Sequence, residues 1–317
     1  MRLRPVPAES PTPRKRRVLR TVQVLPTMLT AGNLMVGVLA CAYMIDAGAY
    51  LREGADAQAI ATANGYFAKA AWLIFLGMFL DGMDGRVARM TNSTSDFGAQ
   101  LDSLADVVTF GVAPALVAKT VLGISFPDVP GRLLFVFCLV YVLGAALRLA
   151  RYNVESDRLS RDDKPHVTKV FRGLPSPAAA GVVAALLLLR QQYTDPTAQH
   201  AVEWGLLFGA PILGLLMISR MPFSHVMNRY FDKNRVGPLA VVILVILLYL
   251  VVSHFVETVA AIFVLYAISG PLMTLSHRVI GFPRDIGNED HDEELEHEPS
   301  DDAPLDHDGS TGTEGTP

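Results

Sequence analysis

The stretch DGMDGRVARMTNSTSDFGAQLDSLAD, residues 81–106, carries five aspartates, and four of them fall at helical spacings. Asp81, Asp84, Ala88 and Arg89 stand at offsets of 3, 7 and 8, so on a helix they share one face. Gly98, Asp102 and Asp106 recur every four residues and make a second single-faced set. The connector MTNSTSD is polar and short enough to join two antiparallel helices, whose acidic faces can then meet. Four carboxylates in one small volume repel one another, and protons or bound cations must relieve that repulsion. An oxygen-only ligand set without His or Cys suits a hard divalent ion, Mg²⁺ or Mn²⁺. Four carboxylates are enough for two ions, and a two-metal site can clamp phosphoryl oxygens on both sides of an in-line displacement. Gly85 and Gly98 clear side chains from the same faces, and Arg89 offers a planar fork suited to phosphate.

Two other readings compete on spacing alone. Acidic residues at a helix end often mean only solvation, and aspartates inside a membrane also mark proton or cation paths. Register held across both segments, with two matching glycines and an arginine, argues for a built site over solvation.

The elements that must position these residues are apolar. Of 317 residues, 51% are hydrophobic and 18% charged, and mean hydropathy is +0.33. These values imply an all-α integral membrane protein, because a lone strand leaves its backbone groups unpaired in lipid. Eight candidate transmembrane helices are expected, near 27–49, 67–88, 99–120, 131–150, 175–191, 202–220, 236–253 and 257–276. The net charge of -4 averages a basic start against an acidic end. The layout expected is a basic cytoplasmic segment (1–25), a transmembrane catalytic domain (26–276) and an acidic disordered cytoplasmic tail (277–317). Lys and Arg concentrate in the lead, in 151–174 and in 220–235, whereas the alternate loops are poor in them. The positive-inside rule then puts both termini and the aspartates on the cytoplasmic side of the cell membrane. Cys41 and Cys138 sit in apolar runs and read as small apolar groups, not as a disulfide or metal site. No nucleic-acid partner is expected.

The string D-x2-D-G-x2-A-R-x8-G-x3-D-x3-D, running through Asp81, Asp84, Gly85, Ala88, Arg89, Gly98, Asp102 and Asp106, resembles the signature of the CDP-alcohol phosphotransferase family. The resemblance extends over roughly 26–276 and implies a six-helix core, a CDP-linked donor, release of CMP, a homodimer and an active site open to the cytoplasm. It implies that Asp81, Asp84, Asp102 and Asp106 hold two divalent ions. Asp106 would also be the base that activates the acceptor hydroxyl. Gly85, Ala88 and Gly98 would line the nucleotide site, and Arg89 would order the carboxylates or touch phosphate.

Two further segments, LRLARYNVES (147–156) and FRGLPSPAAAG (171–181), resemble the branch of the family that joins CDP-diacylglycerol to L-serine, as do two extra C-terminal spans. Glycerol 3-phosphate and inositol phosphate are the alternative acceptors. A transporter or channel is the alternative from another class. Arg148 and Arg151, three apart at the end of the fourth span, can turn to one side and reach a headgroup phosphate or serine, with Asn153 beside them. Pro175 and Pro177 fit the first turn of the fifth span, where helical amides have no partner in any case. The opening LPTMLTAGNLMVG resembles the family's usual start, except that Thr27 stands where Asn is usual.

Overall fold

Long apolar runs in this chain can satisfy their backbone only by coiling, and helices are what the structure shows. The computed structural model describes residues 20–53, 56–91, 96–161, 173–219, 221 and 248–280. Among these residues there are eight α-helices, one π-helical segment and no strand. They are α1 (Arg20–Glu53), α2 (Ala57–Thr91), α3 (Asp96–Asp106), the π segment (Val107–Val112), α4 (Ala113–Ser125), α5 (Gly131–Arg161), α6 (Ser176–Gln192), α7 (Pro196–Ile218) and α8 (Phe255–Ile280).

Among the described residues, six helices are long and apolar enough to cross a membrane: Leu25–Arg52, Ala57–Thr91, Phe97–Ser125, Gly131–Glu155, Pro196–Ile218 and Phe255–Leu275. The third of these joins α3, the π segment and α4 in one rod. The protein is a multi-pass membrane protein. Met28, Met35, Ile45, Phe79 and Leu265 are apolar and exposed, as lipid-facing side chains are. The expected span 175–191 forms α6, which at 17 residues is the shortest of the long apolar helices. Most of the expected span 236–253 lies outside the described residues; its end, 248–253, is helical. The basic lead through residue 19, the loop 162–172 and the tail beyond 280 also lie outside them.

By internal contacts the chain divides into Met1–Thr274 and Leu275–Pro317. In the second unit the described residues, 275–280, are helical. Within the first, α1 runs along α2 and α5 along α7. Small residues set the second pairing: a Cβ on Gly214 would stand 2.6 Å from the Val140 carbonyl oxygen and 2.8 Å from the Tyr141 Cα. Helix backbones approach this closely only where side chains are absent.

Helix starts follow the sequence. Pro175 precedes α6 and Pro177 lies in its first turn; Asp195 caps α7 by accepting from the Ala198 amide at 3.1 Å, with Pro196 next. Gly173, at φ 88°, turns the chain into α6 while its amide donates to the Met221 carbonyl at 2.9 Å. The Leu174 amide donates to the Leu216 carbonyl at 3.1 Å, so this loop is stitched to the end of α7. Far along α2 from its aspartates, a polar network joins three helices. Arg190 Nε donates to Glu203 Oε1 at 2.6 Å, Arg190 Nη1 donates to Asn64 Oδ1 at 3.3 Å, and His200 Nδ1 lies 3.0 Å from Glu203 Oε2. A buried charge in an apolar span has to be paired in this way.

Candidate active site

The end of α2 and the start of the α3 rod both pack on α1, and there they bring their acidic side chains together. Asp81, Asp102 and Asp106 each offer a carboxylate oxygen, and the three oxygens lie within 4.8 Å of one another. Asp106 is buried, and Asp81 and Asp102 are half-buried. Asp102 Oδ1 is shielded from solvent and, among the described residues, has no hydrogen-bond partner. Three converging carboxylates with an orphaned buried oxygen fit a divalent cation, whose charge offsets their repulsion and whose coordination fills the empty acceptor.

Asp84, also buried, is held from α1: Thr30 Oγ1 lies 2.9 Å from Asp84 Oδ2 and 3.0 Å from the Pro26 carbonyl oxygen, so its single proton can serve either. Asp106 is held from α1 as well, because Asn33 Nδ2 donates to its Oδ1 at 3.3 Å. Asn33 is itself gripped from the far side, where Thr109 Oγ1 donates to its carbonyl at 3.0 Å. Asp106 and Thr109 flank the change from α3 to the π segment. A π segment alters the angular spacing of successive residues and releases backbone carbonyls from their usual partners. The carbonyl of Phe110, within this segment, accepts from Tyr141 Oη at 3.1 Å. Thr109 reaches α1 and α2 only because they carry Gly37 and Gly77; a Cβ at Gly37 would lie 2.9 Å from the Thr109 Cα.

Thr30 and Asn33 are the site residues that sequence reasoning overlooked. The signal was present: two polar side chains three apart, on one face of an apolar run. Each had to find a partner inside the bundle, and the nearest unmet need was an aspartate. Replacing Asn33 with Leu is expected to lower any turnover number that depends on Asp106 by about 10- to 100-fold, the range for one lost hydrogen bond to a charged group. The KM for the donor should change little, and Asn33→Gln should restore part of the rate. An unchanged turnover number in Asn33→Leu would show that this contact does nothing for Asp106.

The remaining sequence-predicted residues take the following places. Gly85 and Ala88 are half-buried on α2, and the nearest atom to a Cβ built on Gly85 is Arg89 Nη1 at 3.8 Å, so the surface there is open. Arg89 is exposed and Gly98 half-buried. Arg148 leans from α5 to α6, donating through Nη1 to Ser176 Oγ at 3.4 Å, while its buried Nε lacks a partner among the described residues. Asn153 Nδ2 donates to Ser103 Oγ at 2.9 Å, which ties α5 to the residue after Asp102. Arg151 is exposed. The segments around Arg148 and Ser176 are thus brought together, and the one around Asn153 meets the acidic helix.

The comparisons with known proteins agree with this geometry. The profile of the family described as CDP-alcohol phosphatidyltransferase matches residues 23–216. The chain is 32% identical over 257 residues to the CDP-diacylglycerol–serine O-phosphatidyltransferase of Helicobacter pylori, covering 80% of this chain and 91% of that protein. It is 32% identical over 202 residues to the protein of the same name in Bacillus subtilis, covering 63% of this chain and 90% of the relative. A third protein of that name, from Saccharomyces cerevisiae, is 41% identical over 121 residues, covering 38% and 42%.

Proposed function

The chain belongs to the CDP-alcohol phosphatidyltransferase family, and on that premise we propose that it transfers the phosphatidyl group of CDP-diacylglycerol to the hydroxyl of L-serine, giving phosphatidylserine and CMP. The observation that carries the reaction class is the convergence of Asp81, Asp102 and Asp106 to within 4.8 Å. The similarity to CDP-diacylglycerol–serine O-phosphatidyltransferases of two bacteria and a yeast supports serine as the acceptor.

The chain's residues divide the work as follows. Asp106, oriented by Asn33, takes the proton of the serine hydroxyl, directly or through a water. The serine oxygen forms a bond to the phosphorus that carries diacylglycerol, and the bond from that phosphorus to the bridging oxygen breaks, leaving CMP. Mg²⁺ or Mn²⁺, in our reading two ions held by Asp81, Asp102, Asp106 and Asp84, supplies charge neutralisation for the pyrophosphate and the departing phosphate. Gly85, Ala88 and Gly98 leave room for the nucleotide, and Arg89 faces phosphate. Arg148, whose Nε has no partner among the described residues, takes the serine carboxylate or the lipid phosphate, with Arg151 and Asn153 beside it. The apolar helices hold the acyl chains and keep the lipid phosphorus at the acidic cluster. We also assign both termini and the site to the cytoplasmic side, a homodimeric assembly, and the layout of basic lead, catalytic membrane domain and acidic tail.

An acceptor panel with labelled CDP-diacylglycerol tests the assignment. Serine should yield a labelled lipid and CMP, whereas glycerol 3-phosphate and inositol phosphate should not. Arg148→Gln should raise the KM for serine by about 10- to 100-fold, the range for a charge-assisted hydrogen bond, with a smaller change in turnover number. A lipid product made only from one of the phosphorylated acceptors would move the protein to that branch. Ion flux without CMP release would place it outside phosphoryl transfer altogether.

A further inference from the structure

A cavity lies at the end of the bundle away from the aspartates. It has a volume of about 740 Å³ and is walled by α1, α2, α4 and α5. That volume falls within the range of sites that hold small molecules, about 300–1,000 Å³. Its position follows from helix geometry. Thr30, on α1, is level with Asp84, and the cavity is lined on the same helix from Met44 to Arg52. At 1.5 Å per residue these positions lie about 21 Å and about 33 Å from Thr30. The hydrocarbon core of a bilayer is about 30 Å thick, so the cavity opens in the leaflet opposite the aspartates.

Its lining is apolar apart from two cations and Thr120. Arg52 and Lys119 both border it, and among the described residues neither is paired with a carboxylate. Gly48 and Gly123 keep the cleft open, since a Cβ on either would meet nothing within 4 Å. Lys119 stands on α4 inside a membrane-spanning segment, where an ammonium needs an anion or a route to the interface. Asp106, the nearest aspartate of the reacting site along the same rod, is 13 residues or about 20 Å from Lys119 and does not answer that need.

We propose that this cavity binds an anionic glycerophospholipid of the leaflet opposite the aspartates, with the phosphate between Arg52 and Lys119 and an acyl chain in the apolar cleft. A guanidinium and an ammonium around one phosphate form charge-assisted contacts, and the glycine-lined cleft removes the chain from competition with bulk lipid. The site is separate from the one that binds the lipid donor and needs no nucleotide.

The test uses the purified full chain, stripped of lipid in neutral detergent, with phosphatidylglycerol or phosphatidylcholine added back. Native mass spectrometry should show one phosphatidylglycerol retained per protomer, preferred over phosphatidylcholine by at least about tenfold, the scale of one charge-assisted contact. Phosphatidylglycerol should also raise the melting temperature. The double variant Arg52→Gln/Lys119→Gln should lose the preference, and Gly48→Leu, which fills the cleft, should lose retention of both lipids. Arg132→Gln, on an exposed cation outside the lining, should behave as wild type. Melting in phosphatidylcholine reports whether each variant folds, and the two unlike lesions keep the test open if one does not. Preference that survives the double variant overturns the proposal. So does equal stabilisation by inorganic phosphate alone, which would reduce the site to an anion contact. So does a wild type that retains no lipid but dissociates from a dimer on Gly48→Leu, which would give the groove to a second copy of the chain.

Discussion

Replacing Asp106 with Asn lowers CMP release by about 10²–10⁴-fold, the usual contribution of a positioned general base, and leaves the protein inserted and folded. The substitution keeps the size and shape of the side chain, and the amide oxygen can still accept from Asn33 Nδ2, so the fold has no reason to change. It removes one of the three converging anionic oxygens and, on the role proposed for Asp106, the proton acceptor. Asp102→Asn should fall in the same range for a different reason. It replaces one oxygen of a carboxylate whose Oδ1 has no partner among the described residues, weakening the seat for a cation. The two are separable by titrating metal into a chelated sample. Asp102→Asn should need more Mg²⁺ or Mn²⁺ to reach half of its residual rate, and wild type should recover fully on metal addition. Near-wild-type, metal-dependent CMP release by both variants would remove these residues from the chemistry.

The largest expected effect on stability lies in a pair of glycines distant from the carboxylates in sequence. Gly144 on α5 and Gly214 on α7 stand backbone to backbone, and a Cβ on Gly144 would overlap the Gly214 carbonyl group and sit 2.7 Å from its Cα. Side chains can turn away from an added methyl group, but a helical backbone cannot. Gly144→Ala should therefore exceed the about 1–3 kcal/mol common for overpacked cores, and Gly144→Leu should leave little folded protein in detergent. Gly209→Ala is the matched control on α7. Nothing lies within 4 Å of its Cβ, so the change should be neutral or gain up to about 1 kcal/mol from helix propensity. Monodispersity and thermal melting in one detergent decide between these outcomes. Equal behaviour of Gly144→Ala and Gly209→Ala would mean that α5 and α7 do not touch as described.

Much of the acidic site was legible because helical periodicity is rigid. A spacing of three or four residues obliges Asp81 and Asp84, or Asp102 and Asp106, to share a face whatever surrounds them. The short polar connector limits how those faces can be arranged. The partners on α1 were harder to read. Thr30 and Asn33 are separated from the carboxylates they touch by 54 and 73 residues, and no local rule selects which buried polar group answers which. The π segment was invisible for a related reason: VVTFGV carries no composition that distinguishes it from ordinary apolar helix. Its widened turn is held by contacts from elsewhere, Thr109 onto α1 and Tyr141 onto Phe110.

By itself the sequence determined the membrane class, the apolar helices and the shared faces of the aspartates, because each depends on local composition or on spacing along one helix, while the reaction family followed from the resemblance of the aspartate string to a known signature. Tertiary structure decided which three carboxylates converge, that α1 orients two aspartates through Thr30 and Asn33, that Arg148 meets Ser176, and that Arg52 and Lys119 border a cavity at the opposite end of the bundle. These are contacts between residues far apart in the chain. Their geometry is set by how closely helix backbones can approach, and that depends on which small residues happen to face each other across the bundle.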